Sequence, residues 1–216
     1  MELSVLLAKL GEGMLVSIEI FVLTLILSLP LGLIITLGRM SKCVILRIPI
    51  KLYISIMRGT PLMLQLMVVY FGPYYLFGIR LPQGYRFVAV IIGFVLNYAA
   101  YFAEIYRGGI ESISIGQYEA AKVLGYSRSQ TFMRIILPQV IKRILPSVTN
   151  ETITLVKDTA LAQVISVSEM FLAAKAIASK EQSVVPYIAA GVFYYIFNYF
   201  VAFGMEWLEK KFSYYR

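Results

Sequence analysis

Four long stretches almost without charge constrain this sequence more than any other feature. They cover residues 14–37, 61–79, 87–103 and 184–205, and only the first holds a charged side chain, Glu19. A membrane-spanning helix needs about 20 mostly apolar residues. The whole chain is 59% apolar and 15% charged, whereas soluble domains average about 45–50% and about 25%. The sequence therefore predicts an all-α integral membrane protein.

A fifth stretch, 144–168, is apolar overall but carries Glu151, Lys157 and Asp158. The distribution of basic residues decides whether it spans, because Lys and Arg collect in cytoplasmic loops. Cations concentrate in 39–58, 107–143 and 210–216, while the other loops hold only Lys9, Arg80, Arg86, Lys175 and Lys180. Five spans put the three basic segments on one side. We therefore expect five transmembrane helices, with the N-terminus outside and the C-terminus cytoplasmic.

The residue types that are missing or rare exclude several kinds of chemistry. The chain has no histidine and a single cysteine, Cys43, which excludes an internal disulfide and multi-cysteine or histidine metal sites. The sequence contains no G-x-x-x-x-G-K-[ST] phosphate loop. We therefore expect no catalytic residue, metal or cofactor in this chain, and no nucleic-acid partner despite a net charge of +8. The first 14 residues lack a basic n-region and an A-x-A-like cleavage site, so no removable signal peptide is expected.

The long loop between the third and fourth spans, about 107–143, holds two helical segments. Residues 119–124 favour a short helix that Gly125 ends, and Ala120 and Ala121 give it a flat side. A second helical run is expected from Ser127, with Pro138 interrupting it. The product is a short helix across the membrane axis, with small residues towards the cytoplasm. From these residues alone, an amphipathic loop lying on the bilayer surface is the favoured interpretation.

The spacing in this loop resembles the EAA signature of permease subunits in bacterial ABC importers. Glu119-Ala120-Ala121 is followed at fixed spacing by Gly125 and by I-x-L-P at 135–138. The segments RGTPL at 58–62, AEIYRGGI at 103–110 and KDTAL at 157–161 are similar to the polar amino-acid uptake branch, with alanine where KDTSL is usual. The resemblance implies one transmembrane domain over residues 1–216. It assigns ATPase coupling to Glu119, Ala120, Ala121 and Gly125.

The same resemblance implies partners and a mechanism. Two ATP-binding subunits would hold ATP and Mg, and a second copy of the chain or a close paralogue would complete the pathway. An extracytoplasmic binding protein would deliver the amino acid, and alternating access would move it inward across the bacterial cytoplasmic membrane. The alternative from another class is a small channel or a stand-alone secondary carrier, whose loop simply lies on the membrane.

Polar residues on the fourth span indicate where a substrate binds. Ser147, Asn150, Glu151, Thr154 and Asp158 share one helix face, and polar groups inside a bilayer usually line a cavity or a seam. Our hypothesis is that Glu151, aided by Asn97 and Thr154, binds a basic amino acid, and that Asp158 and Asn150 belong to the same site. Alternatively, Glu151 pairs internally with Lys157 or an arginine. Glu104 is expected to pair with Arg107 at i,i+3.

Overall fold

The computed structural model describes residues 3–82 and 84–212. Residues 1–2, 83 and 213–216 lie outside the description, and with them Arg216 of the basic tail and the start of the N-terminal stretch. The described residues form helices and no strands. The helices are α1 (Leu3–Arg39), α2 (Val44–Gly59), α3 (Leu62–Phe77), α4 (Tyr85–Glu111), α5 (Ile115–Val123), α6 (Arg128–Thr131), α7 (Leu137–Asp158), α8 (Met170–Glu181) and α9 (Val185–Phe212). A π-helical turn, Phe132–Ile136, precedes α7, and a 3₁₀ segment, Thr159–Ile165, follows it.

Three helices, α1, α4 and α9, are long and apolar enough to cross a membrane on their own. Two further spans exist if each bent pair counts as one: α2 with α3, bent by 112°, and the helix 128–165 with α8, bent by 59°. With 16 residues, α3 measures only about 24 Å, short of the roughly 30 Å hydrocarbon core. The structure therefore carries three to five candidate spans, which include all five predicted stretches.

The centre of the molecule is the packing of α1 against α4. Small residues allow this approach: a Cβ placed on Gly32 of α1 would lie 2.9 Å from the Cβ of Phe102. The fully buried Phe94 and Phe102 and the nearly buried Tyr98 share one core with Leu155 of α7. As a result, α4 is the scaffold on which both the bent pair α2–α3 and α7 are placed.

The three basic segments predicted to be cytoplasmic lie at one end of the molecule. Arg39, at the end of α1, has its Nε 3.9 Å from Glu104 of α4. Arg143 donates to the backbone oxygen of Ser112, just beyond α4. Lys142 and Lys210 line one surface cavity, which places the end of α9 beside the start of α7. These contacts bring the segments together, as a common membrane side requires.

Two helices and one helical turn differ from the sequence analysis. Helices α2 and α8 occupy segments in which no helix was predicted. The interruption predicted at Pro138 is wrong, because the chain continues from Arg128 to Asp158 without leaving the helical form. The π turn immediately before Pro138 widens the helix, and such turns accommodate the missing N–H and the ring of a proline.

Candidate substrate site and coupling segment

A cavity of about 310 Å³ opens between the start of α3, the middle of α4 and the second half of α7. Its lining residues are Thr60, Pro61, Leu62, Asn97, Tyr98, Tyr101, Glu151, Thr154, Asp158 and Leu161. Four of the five predicted substrate-binding residues are in this lining. The fifth, Asn150, is exposed on the same face of α7 but does not line the cavity. The structure thus brings together side chains from α4 and α7 that are more than 50 positions apart.

Glu151 is half-buried in the cavity wall, and its carboxylate is free of local partners. Across the described ranges 3–82 and 84–212, it makes no hydrogen bond and no ion pair within 4 Å. Neither alternative partner, Lys157 or an arginine, forms an ion pair with Glu151 among the described residues. Arg58 is the cation whose charge reaches Glu151, through space and without a contact. A half-buried carboxylate with no hydrogen bond and no contact ion pair can accept hydrogen bonds from a cationic ligand.

The second acid in the lining, Asp158, already has a partner. Its Oδ2 accepts a 2.7 Å hydrogen bond from the hydroxyl of Tyr98, which is 2% exposed. The bond ties the end of α7 to α4 and fixes the direction of the carboxylate. The other oxygen of Asp158 remains open to the cavity, so the residue combines a structural contact with a possible ligand contact.

Asn97 lies in the lining but uses its amide hydrogens within the protein. Its Nδ2 donates to the backbone oxygen of Met57 at 3.1 Å and to Oε1 of Gln65 at 2.9 Å. Gln65 in turn donates to the hydroxyl of Thr60 at 2.8 Å. This network fastens α4 to the 112° bend between α2 and α3. Asn97 therefore positions one wall of the cavity, and only its carbonyl oxygen is left for a ligand.

Thr154 offers a hydroxyl whose hydrogen is committed. Its Oγ1 donates to the backbone oxygen of Asn150 at 2.9 Å, so the hydroxyl faces a ligand as an acceptor. Acceptors thus dominate the polar part of the lining: the carboxylates of Glu151 and Asp158, the hydroxyl of Thr154 and the carbonyl of Asn97. Such a set suits a ligand rich in N–H donors. Among the described residues, no group of three or more metal-ligating side chains exists.

Glu104 lies away from this cavity and is occupied, as predicted. Its carboxylate accepts hydrogen bonds from Nε and Nη2 of Arg107, the shortest at 2.6 Å. The remaining guanidinium nitrogen of Arg107, Nη1, forms an ion pair with Glu111 at 2.5 Å. The i,i+3 pairing is therefore confirmed, and Glu104 has little capacity left for a ligand.

The predicted coupling segment forms the helix α5, which begins at Ser114 as its N-cap. Gly125 adopts φ +77°, the left-handed region that favours glycine, and Tyr126 N–H closes the turn on Ala121 O at 3.0 Å. Glu119 and Ala120 are exposed, but Ala121 is only 1% exposed and packs against the chain itself. The prediction that both alanines form the flat outer side of α5 is therefore wrong for Ala121, and only Ala120 lies on that side.

The outer surface of α5 is unexpectedly apolar for a helix outside the spans. Ile115 is 74% exposed, Val123 87% and Leu124 73%. Exposed apolar patches of this kind mark interaction surfaces. The sequence analysis did not single out these residues, although their position beside Glu119 and Gly125 was a usable signal.

Glu169, which was not predicted as a functional or structural residue, is fully buried. Its carboxylate caps α8, accepting from the backbone N–H groups of Phe171 and Leu172, both at 2.7 Å. The hydroxyl of Tyr194 on α9 donates to it at 3.0 Å. Glu169 thus joins the bend after the 3₁₀ segment to α9. A cap is predicted more readily from Ser, Thr, Asp or Asn than from Glu.

Comparison with known proteins shows which protein family this chain resembles. Residues 28–214 match the family described as "Binding-protein-dependent transport system inner membrane component". Three relatives from Bacillus subtilis (strain 168) match over most of their length. They are the "Probable amino-acid ABC transporter permease protein YckA" (44% identical, 86% of this chain, 80% of the relative), the "Arginine transport system permease protein ArtQ" (37%, 93% and 90%) and the "L-cystine transport system permease protein TcyB" (35%, 94% and 86%).

A solved structure, "Crystal structure of an amino acid ABC transporter with histidines", superposes with a TM-score of 0.86 at 31% identity and covers 94% of both chains. The all-helical fold, the apolar helices, the exposed helix α5 and these matches agree. The chain belongs to the family of inner-membrane components of binding-protein-dependent transport systems, as a permease subunit of an amino-acid ABC importer.

Proposed function

We propose that this permease imports basic amino acids by alternating access. The observation that carries the proposal is the unpaired carboxylate of Glu151, in a cavity whose other polar groups are mainly acceptors. A guanidinium or a side-chain ammonium supplies N–H donors for these acceptors. One relative is named for arginine transport and another for cystine, so the family alone does not select the substrate.

The pathway in this proposal is completed by a second permease, either another copy of this chain or a close paralogue. Support comes from the polar face of α7, where Ser147, Asn150 and Thr154 are exposed in the single chain. Polar side chains facing lipid would be costly. A facing subunit would cover them and would close the cavity on its open side.

Two ATP-binding subunits, which hold ATP and Mg, drive the cycle in this proposal, and an extracytoplasmic binding protein delivers the substrate. The chain is placed in the bacterial cytoplasmic membrane as one domain over residues 1–216, with five spans, the N-terminus outside and the C-terminus inside. The three basic segments at one end support this orientation. The exposed apolar residues of α5, together with Glu119, Ala120 and Gly125, form the surface that meets the ATPase.

The substrate is tested by uptake of labelled arginine and glutamine into proteoliposomes that contain the assembled transporter. Glu151→Gln should raise the KM for arginine by at least about tenfold, because a charged hydrogen-bond partner contributes about 1.5–3 kcal/mol. Glutamine uptake should change far less. The matched control is Glu12→Gln, since Glu12 is exposed on α1. An unchanged arginine KM in Glu151→Gln would refute the basic-substrate proposal.

The coupling role is tested separately with two glycines. Gly125→Ala strains the left-handed turn after α5, by about 1 kcal/mol or more, and should reduce both ATPase copurification and substrate-stimulated ATP hydrolysis. Gly108→Ala is the control, because Gly108 has an ordinary φ and no atom within 4 Å of an added Cβ. Equal copurification by both variants would argue against this surface as the ATPase contact.

A further inference from the structure

A second cavity, of about 370 Å³, lies at the coupling-helix end of the molecule and takes no part in the proposed transport site. It is a shallow, open cavity that lies between the end of α1, the helix α2 and the end of α4. Its lining residues are Arg39, Lys51, Ile54, Ser55, Arg58, Gly59 and Glu104. Three cations and a single acid therefore face one small space.

The single acid does not neutralise these cations. Both carboxylate oxygens of Glu104 accept hydrogen bonds from Arg107, which lies outside the lining. Arg39 Nε and Arg58 Nη1 are each 3.9 Å from a carboxylate oxygen of Glu104, which is a long ion pair but is beyond hydrogen-bond distance. Arg107 is itself shared between Glu104 and Glu111. The cations Arg39, Lys51, Arg58 and Arg107 therefore outnumber the two acids, and positive charge is left in excess.

Two of the three cations in this cavity are also short of partners, whereas Arg58 lies over the ring of Tyr101, 5.3 Å from its centroid. Arg39 Nε is buried and has no hydrogen-bond acceptor in the described part of the chain, which is a costly state for a charged group. Lys51 is exposed and forms no ion pair with any described residue. The sequence offers no local compensation, because residues 20–103 contain neither Asp nor Glu.

An apolar stripe runs beside the cavity along α2. Ile48, Leu52 and Ile56 follow each other at i,i+4 spacing and are 58%, 60% and 48% exposed. Lys51 and Ser55 lie three positions after Ile48 and Leu52, the spacing of neighbours on a helix surface, so cationic and apolar surfaces adjoin on one helix. An amphipathic helix with basic residues beside exposed apolar ones is suited to the membrane interface.

We infer that this cavity, which we call the α2 basic cavity, binds the phosphodiester headgroup of an anionic phospholipid. Arg39, Lys51 and Arg58 supply the donors for the phosphate oxygens, and the acyl chains extend along Ile48, Leu52 and Ile56. Free phosphate shares the headgroup's chemistry but would leave the apolar stripe unused. The leaflet, the cytoplasmic one, follows from the orientation proposed above. Binding itself does not depend on that orientation.

The test uses the assembled transporter in detergent, titrated with dioleoylphosphatidylglycerol and, separately, with dioleoylphosphatidylcholine, and analysed by native mass spectrometry. The phosphatidylglycerol adduct should dominate. Lys51→Gln should weaken its retention by about fivefold, the effect of about 1 kcal/mol per cation near a lipid surface. Ser55→Asp, which places an anion in the cavity, should weaken it at least as much. Lys42→Gln is the matched control, because Lys42 is an exposed cation nearby that does not line the cavity.

Three results would overturn the inference: equal retention by Lys51→Gln and the wild type, equal loss in Lys51→Gln and Lys42→Gln, or displacement of the lipid by inorganic phosphate at millimolar concentration. Lys51 and Ser55 are both exposed, so folding is expected to survive, and ATPase copurification verifies it. No amino acid is present in the titration, so a failure here is distinct from a failure of the basic-substrate proposal.

Discussion

Glu151 and Glu169 lie 18 positions apart and have opposite environments. Glu169 is fully buried and accepts three hydrogen bonds, two from backbone N–H groups and one from Tyr194. Glu151 is less buried, lines an open cavity and has no hydrogen-bond or ion-pair partner among the described residues. Judged by burial alone, Glu169 would be the stronger candidate for a functional carboxylate. The hydrogen bonds make Glu151 the stronger candidate, because a carboxylate whose oxygens already accept hydrogen bonds from the protein has little acceptor capacity left for a ligand.

The comparison predicts that the two acids contribute to different properties. Glu169 should determine stability and leave substrate selection unchanged, whereas Glu151 should determine substrate affinity and leave stability unchanged. Four substitutions test this division, and they are ordered here by the size of the expected change in the free energy of unfolding.

The largest effect is expected from Glu169→Ala. The substitution removes a helix cap and leaves two N–H groups and the Tyr194 hydroxyl without their acceptor, so the free energy of unfolding should fall by about 2–3 kcal/mol. Denaturant unfolding of the purified permease in micelles, followed by circular dichroism, measures it. Glu12→Ala, at an exposed position of α1, should have little effect. A stable Glu169→Ala with altered substrate preference would reverse the assignment.

Gly13→Ala tests the packing around the same cap from the opposite helix. A Cβ on Gly13 would lie 2.7 Å from the Cα of Met170, the residue after Glu169. Because backbone must move, we expect a loss of about 1–3 kcal/mol in the same unfolding assay. Gly11→Ala is the matched control, since nothing lies within 4 Å of its Cβ, and it should be neutral or slightly stabilising. Similar stability of the two variants would show that α1 is not tightly packed there.

Tyr98→Phe should have a smaller effect, at the partnered acid of the substrate cavity. It removes the 2.7 Å bond to Asp158 and keeps the ring in the core, so we expect a loss of about 1 kcal/mol. Tyr101→Phe, in the same lining, serves as the control, because no hydrogen bond of the Tyr101 hydroxyl occurs among the described residues. If Tyr98→Phe lowered the free energy of unfolding as much as Glu169→Ala, the Tyr98–Asp158 bond would contribute as much to stability as the Glu169 cap.

The smallest change in stability is expected from Glu151→Gln. No contact within the described chain is lost, so its unfolding midpoint should match the wild type within the error of the same assay, even while arginine affinity falls. A clear drop in stability would show that Glu151 acts as internal glue. That outcome would favour the alternative in which an arginine or lysine neutralises it.

Much of the fold could be predicted because long uncharged runs have few alternatives. The stretches 14–37 and 87–103 fall inside the long helices α1 and α4, and 184–205 falls inside α9 except for its first residue. Helix α2 was not predicted because Arg47, Pro49 and Lys51 interrupt its apolar pattern. Such an interrupted pattern is typical of a loop. The direction of α2, 112° from α3, depends on the Asn97–Gln65–Thr60 network between distant segments.

The site was predictable in its residue types and less so in their roles. The polar face of α7 follows from helical spacing, so Glu151, Thr154 and Asp158 were found together. Asn97 was chosen as a ligand, yet its N–H groups bond Met57 and Gln65. Ala121 was expected on the outer face of α5 but is buried. Both differences arise from tertiary contacts, which spacing along one helix does not contain.

The length of α1 has a consequence for how the molecule meets the bilayer. Its 37 residues measure about 55 Å, and even a tilt of about 40° leaves some 42 Å along the membrane normal, against a hydrocarbon core of roughly 30 Å. One end of α1 must therefore stand among headgroups or in water. Leu6 and Leu10, near its start, pack with Met170, Ala174 and Ala190. This cluster shields its members from water when the start of α1 is the end that protrudes. The ends of α1, α8 and α9 would then share a small apolar core outside the lipid.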